Sequence, residues 1–154
     1  MSVNYKLDID IDGLTDLKKV IGFFVERGYG LITSYLEDGK KLQFAFEDAV
    51  QFLAKGNCIF LKQEPETSGI QLCHSKKSKY AELVHDRITL MFSDRLLDWP
   101  RAEELYKDGL DRAGIKQMVK DFVEMMKQLS NVKGLKEGLD YGSGFTYVLG
   151  EKKE

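Results

Sequence analysis

The sequence predicts an α+β protein, a single globular domain over residues 1–154 with helices packed mainly on one face of an antiparallel or mixed sheet of about six to seven strands. Some segments alternate apolar and polar residues with a period of two, and others carry apolar residues at helical spacing. Several predicted strands follow one another without an intervening helix, so they can form hairpins. This order favours antiparallel pairing over a doubly wound parallel sheet. We expect a short disordered tail from about residue 151.

The first strand and helix are predicted from the spacing of apolar residues, which changes from a period of two to the helical period. Residues 3–11 alternate apolar and polar side chains, which indicates a half-buried strand. Asp12 can then cap a helix, because apolar residues recur at helical spacing between Leu14 and Phe24. Gly28 is suited to end this helix, since helices often terminate in a left-handed residue.

Two hairpins and a short helix are expected next. Residues 31–46 form a hairpin around Asp38-Gly39, the dipeptide typical of a type I′ turn, in which Leu31 faces Phe46. A short helix over 48–55 ends at Gly56. A second hairpin then pairs 58–63 with 70–74.

The C-terminal half contains the most regular helical pattern. A strand is predicted over 87–92, and Pro100 suits the first turn of a helix reaching 108. Apolar residues from Ile115 to Leu129 form a stripe with the helical period, and Asn131 can end that helix. A glycine-rich stretch leads to a last strand over 145–149.

Composition excludes several classes of protein. Of the 154 residues, 43% are hydrophobic and 31% charged, which is ordinary for a globular domain and argues against disorder. The net charge of −2 gives no general attraction to nucleic acid or an anionic membrane. No apolar run approaches the ~20 residues of a membrane span. Because only two cysteines occur and no secretory signal is visible, we expect a cytoplasmic protein with both thiols reduced.

The acidic run from Asp8 to Gly13 resembles the start of an EF-hand calcium loop. Such a loop needs a glutamate at its twelfth position, where this chain has Lys19. The aspartates also alternate with strand-forming residues. We therefore interpret them as a solvated strand face that ends in a helix cap.

Four residues have side chains of the types that bind zinc: Cys58, Cys73, His74 and His85. Their spacing does not match the close pairs of structural zinc sites, and adjacent strand residues such as Cys73 and His74 point to opposite faces. We expect two buried cysteines and two surface histidines, although the sequence leaves open whether the four converge. No metal or cofactor is predicted.

The sequence assigns no catalytic residue. A cysteine nucleophile would need a nearby imidazole or a helix N-terminus, and neither cysteine begins a predicted helix. A non-enzymatic role is favoured. The alternative is an enzyme or small-molecule-binding domain with a pocket between sheet and helices, because discontinuous sites leave little trace in one sequence.

The segment 94–101 is the candidate partner surface. It carries Asp94, Arg95, Trp99 and Arg101, and tryptophan and arginine are enriched at interface hot spots. The alternative is that Trp99 packs against the helix that follows.

A basic loop provides an alternative, weaker nucleic-acid surface. Lys76, Lys77 and Lys79 lie beside Tyr80, and basic residues next to an aromatic ring can bind a nucleic-acid backbone. A net-acidic chain argues against this interpretation.

We therefore expect a small interaction module, for example an inhibitor or immunity-type protein that binds and masks a macromolecular target. The expected partner is another protein and not a membrane, and binding to nucleic acid is not favoured. The sequence leaves open whether the chain also forms a homo-oligomer.

Overall fold

A computed structural model describes residues 4–13, 15–32, 44–62, 70–80, 83–92, 115–140 and 145–148. Within these ranges the chain forms strands and helices in the following order: β1 (Asn4–Asp12), α1 (Leu17–Val25), β2 (Gly30–Ile32), α2 (Phe46–Ala54), β3 (Cys58–Lys62), β4 (Ile70–Ser75), β5 (Asp86–Phe92), α3 (Ile115–Leu129), β6 (Asn131–Asp140) and β7 (Phe145–Val148).

The strands form one sheet in the order β2-β3-β4-β5-β1-β6-β7, and every neighbouring pair is antiparallel. This confirms the α+β prediction. Of the two predicted kinds of sheet, antiparallel and mixed, the described part of the chain forms the antiparallel one. The N-terminal strand β1 lies inside the sheet, between β5 and β6. Its side chains are therefore flanked by strands from the second half of the sequence.

The alternation of β1 directs one set of side chains into the core. Leu7, Ile9 and Ile11 are buried and belong to the same cluster as residues of all three described helices. The stripe on α3 contributes Phe122 and Met126, both fully buried. The apolar side chains of β1 and of α3, both predicted from their periodicity, thus belong to one apolar layer between the sheet and the helices.

Contrary to the prediction, the helix α1 is not capped by Asp12. Asp12 is the last residue of β1, and the helix is capped by Asp16, whose Oδ1 accepts hydrogen bonds from the Lys18 and Lys19 amides at 3.1 and 3.4 Å. The strand extends to Asp12 because it pairs there with Asn131 of β6. After α1 the chain turns at Gly28, whose φ of 87° is in the left-handed region, as predicted.

Two other elements differ from the prediction. Phe46 begins α2 instead of facing Leu31, whose carbonyl accepts a 2.8 Å hydrogen bond from the Phe44 amide. Residues 131–140, predicted to be a glycine-rich connection, form β6. The glycines weaken its alternation, so pairing with β1 and β7 determines the strand.

Three predicted features lie outside the described residues: the Asp38-Gly39 turn, the helix from Pro100 to 108 and the tail from about 151. Within the described ranges, no helix has the length and apolar content needed to cross a membrane.

Candidate functional site

An open groove lies between α1 and α3, on the outer side of the helical layer. Near the start of α1, the hydroxyls of Thr15 and Ser130 are 2.6 Å apart and hydrogen-bonded. Beyond the other end of α1, Arg27 lies 3.8 Å from the carboxylate of Asp121. The start of α1 therefore lies beside the end of α3, and the two helices run antiparallel along the groove.

Aromatic side chains beneath the groove pack the two helices against each other. The Phe122 ring of α3 lies 5.5 Å from the ring of Phe23 and 5.3 Å from that of Phe24. Phe122 and Phe24 are fully buried, whereas Phe23 also lines the groove. This aromatic packing gives the groove a fixed floor.

The walls of the groove are partly apolar. Phe46, Met125 and Leu129 are half-buried, and Val25 is 42% exposed. The groove has a volume of about 990 Å³ and opens broadly to solvent. A groove this open does not enclose a small molecule as a buried ligand pocket does.

Gly22 lines the groove from the middle of α1. Apart from its chain neighbours and the backbone of its own helix, a Cβ atom added there would meet no atom of the described structure within 4 Å, so close packing does not require a glycine. Glycine inside a helix costs about 1 kcal/mol relative to alanine. This helix therefore carries a destabilising residue where the described structure leaves open space.

The charged residues along the groove differ between its two ends. Lys18 and Lys19 lie at the end near the start of α1, whereas Glu26, Asp121 and Glu124 lie at the other end. The Asp16 carboxylate at the first end caps α1. The end with the two lysines, which lie beside the Asp16 and Glu47 carboxylates, is the more basic of the two, and the end with three carboxylates beside Arg27 is the more acidic. We call them the basic end and the acidic end.

Two charged residues at the rim already have partners. Lys18 lies 3.9 Å from Glu47 of α2, in an exposed pair. Arg27 stacks over the Phe23 ring with its Cζ 3.7 Å from the centroid and donates a 3.0 Å hydrogen bond to the Phe23 carbonyl. The Arg27 side chain is therefore held in place at the acidic end.

The opposite face of the sheet carries a polar cluster formed by Asp8, Asp10, Arg87 and Thr89. Thr89 donates a 2.7 Å hydrogen bond to Asp8, and Arg87 Nε donates a 2.6 Å bond to Asp10. The bond to Asp10 raises the pKa of Arg87, and the nearby Asp8 charge acts in the same direction. Because Asp8 is only 6% exposed, the prediction of a solvated acidic strand face is wrong at this residue.

The cysteines also differ from expectation. Cys58 and Cys73 are directly opposite on β3 and β4 and form a disulfide, so the prediction of two reduced, buried thiols is wrong. Both residues are half-exposed. Disulfides are rare in the reducing cytoplasm, so the cytoplasmic location stays a prediction that this bond does not favour.

The two histidines do not join the cysteines. His74 is 9% exposed, which corrects its predicted surface position, and its Nδ1 lies 2.9 Å from the Leu53 carbonyl. Its Nε2 is 3.7 Å from Asp86. His85 is half-exposed in the turn before β5. In the described part of the chain, no group of three or more His, Cys, Asp or Glu side chains is arranged to hold a metal ion.

The predicted partner residues Asp94, Arg95, Trp99 and Arg101 lie outside the described residues, and their role stays a prediction. Lys76, Lys77 and Lys79 are described and exposed, in the connection between β4 and β5. None of these three lysines lines the groove.

Sequence reasoning missed the groove because its two walls are about a hundred residues apart in the chain. One local signal was available. Gly22 lies in the middle of the predicted helix, and a residue that breaks a local rule without a packing reason often marks a functional position.

These features define an α+β protein with an amphipathic interhelical groove. Comparison of the chain with protein-family models, with curated proteins and with solved structures gives no match.

Proposed function

We propose that this protein is a protein-interaction module that binds an amphipathic helix of a partner protein in the groove between α1 and α3. The observation that carries the proposal is the combination of an open groove of about 990 Å³ with a glycine in the middle of α1 that faces unfilled space. A side chain at Gly22 would stabilise the helix and narrow the groove. Retaining glycine there keeps the groove accessible.

The dimensions support a helical occupant. With nine residues, α1 is about 13 Å long at a rise of ~1.5 Å per residue, which corresponds to two to three helical turns. Two antiparallel helices over an aromatic floor leave a groove that a third helix can fill with its apolar side chains. Phe46, Met125 and Leu129 would contact that apolar stripe.

The charge distribution indicates which helix fits. Acidic side chains of the partner would lie near Lys18 and Lys19, and basic ones near Glu26 and Glu124. Exposed pairs of this kind contribute about 0.2–1 kcal/mol each, so they favour one arrangement of charge over another without dominating the affinity.

Such binding is consistent with an inhibitor or immunity-type role. A target helix seated in the groove would have its apolar face covered and withheld from its own partners. The groove would thus mask the segment that it recognises.

Three synthetic helical peptides with the same apolar stripe test the proposal. One carries acidic residues at one end and basic residues at the other, the second carries only basic residues, and the third only acidic residues. We expect the mixed peptide to bind most tightly, by about 3- to 30-fold, since it alone matches both ends of the groove. Fluorescence anisotropy measures the three affinities.

Reversing the charge of two lysines that line the groove tests whether the peptide preference arises there. Lys18→Glu/Lys19→Glu renders both ends acidic, so the all-basic peptide should become the tightest ligand. The matched control Lys77→Glu/Lys79→Glu changes the net charge equally outside the groove and should keep the preference for the mixed peptide. Equal affinity for all three peptides, or an unchanged preference in the Lys18→Glu/Lys19→Glu variant, would contradict the proposal.

A further inference from the structure

The connection between β4 and β5 carries exposed basic and aromatic side chains, and we name its described residues, 76–80 and 83–85, the basic hairpin. Lys76, Lys77 and Lys79 are exposed. Tyr80 is 101% exposed, as much as in an isolated residue, and Val84 is 79% exposed. The fully exposed Tyr80 ring is therefore accessible to a planar ligand that could stack on it.

Hydrogen bonds join the described residues on the two sides of the basic hairpin. Ser78 and Leu83 form an antiparallel bridge with N–O distances of 3.1 and 3.0 Å. The Tyr80 amide donates a 3.2 Å bond to Ser78 Oγ, and the Lys77 amide donates a 2.7 Å bond to Asp86 Oδ1. The bond to Ser78 places Tyr80 next to Lys79, on the side of the hairpin that carries the lysines.

The local charge is positive although the chain as a whole is acidic. Residues 76–85 contain three lysines and one glutamate, Glu82, which lies outside the described residues. The neighbouring Asp86 carboxylate accepts the Lys77 amide bond and lies 3.7 Å from His74. Since charges more than about 8–10 Å away are largely screened at physiological ionic strength, the basic hairpin can attract a polyanion despite the net charge of −2.

From this geometry we infer that the basic hairpin is a second binding site, specific for single-stranded nucleic acid. The Tyr80 ring stacks on an unpaired base while the ammonium groups of Lys76, Lys77 and Lys79 contact backbone phosphates. A duplex keeps its bases stacked inside the helix, so it offers no face to a tyrosine at a turn. This site is independent of the groove between α1 and α3.

Binding of a short fluorescein-labelled thymidine oligomer, measured by anisotropy at several salt concentrations, tests this inference. With three phosphate contacts, the logarithm of the affinity should fall with the logarithm of salt concentration with a slope of about −2. Tyr80→Ala should weaken binding by about 5- to 100-fold, because one stacked base contributes ~1–3 kcal/mol. Tyr80→Phe retains the ring and should bind like the wild type.

Two triple variants distinguish binding at the basic hairpin from a general effect of the protein's net charge. Lys76→Glu/Lys77→Glu/Lys79→Glu should abolish binding. Lys120→Glu/Lys127→Glu/Lys133→Glu, which changes three exposed lysines elsewhere, should retain it. An equal loss in both triple variants, an unchanged affinity of Tyr80→Ala, or tighter binding to phosphatidylserine vesicles than to the oligomer would overturn the inference. The proposal of peptide binding in the groove is tested by separate measurements, and none of these outcomes bears on it.

Discussion

The hydroxyls of Thr15 and Ser130 are 2.6 Å apart, a hydrogen bond that joins residues separated by 115 positions in the chain. Thr15 precedes α1, and Ser130 follows α3 directly. This bond ties the two walls of the groove together at its basic end. Together with Arg27 and Asp121 at the other end, it joins the two helices at both ends of the groove.

Removing this bond should loosen the groove. We expect Thr15→Val and Ser130→Ala each to lower the free energy of unfolding by about 0.5–1.5 kcal/mol, and the double variant to cost less than their sum because the two hydroxyls share one bond. Urea denaturation of the four proteins measures this double-mutant cycle. Strict additivity would show that the two hydroxyls do not interact.

The buried Asp8 carboxylate should depend on Thr89. Thr89→Val keeps the shape of the side chain but removes the hydroxyl that donates to Asp8, leaving a nearly buried carboxylate with one fewer partner. The expected loss is about 1–3 kcal/mol of unfolding free energy, measured by urea denaturation. Thr89→Ser retains the hydroxyl and should lose less. Wild-type stability of Thr89→Val would contradict this role.

The disulfide should contribute to stability through the unfolded chain. Cys58 and Cys73 are separated by 15 positions, and closing a loop of that length stabilises a protein by about 3 kcal/mol in the chain-entropy account. Dithiothreitol should therefore lower the urea midpoint of the wild type and leave a Cys58→Ser/Cys73→Ser variant unchanged. A thiol titration that finds both cysteines free in the non-reduced native protein would contradict the bond.

Stability should fall at alkaline pH in a manner that depends on Tyr29. Burial raises the pKa of Tyr29 above its ordinary value of 10.0, although nearby Arg27 acts in the opposite direction. The unfolded chain therefore loses the phenolic proton first, so the contribution of Tyr29 is complete below pH 10.0 and is lost as pH rises toward the folded-state pKa. Tyr29→Phe should remove this component from a pH series of urea midpoints. Parallel wild-type and variant curves above pH 10.0 would refute it.

The sequence predicted the elements whose side chains repeat regularly. The alternation in β1 and the stripe from Ile115 to Leu129 follow directly from the periods of strand and helix, and both are observed. The strand β6 was missed because its pairing partners, not its own pattern, determine it. Long-range pairing of this kind is not encoded in a local window.

The candidate site was less predictable for the same reason. The predicted pairing of 58–63 with 70–74 placed Cys58 and Cys73 on one hairpin, but the low cysteine count favoured reduced thiols. The groove combines residues around Gly22 with residues around Met125, which no local spacing connects. Gly22, inside the predicted first helix, is the one local signal for the groove.

The substitution Gly22→Leu tests the central claim most directly, since leucine has nearly the helix propensity of alanine and adds bulk in the groove. We predict that unfolding free energy rises by up to about 1 kcal/mol while the mixed-charge peptide loses at least tenfold in affinity. Ala54→Leu, at an exposed position at the end of α2 and outside the groove, should bind the peptide like the wild type. If Gly22→Leu binds the peptide with wild-type affinity, the groove between α1 and α3 is not the binding site.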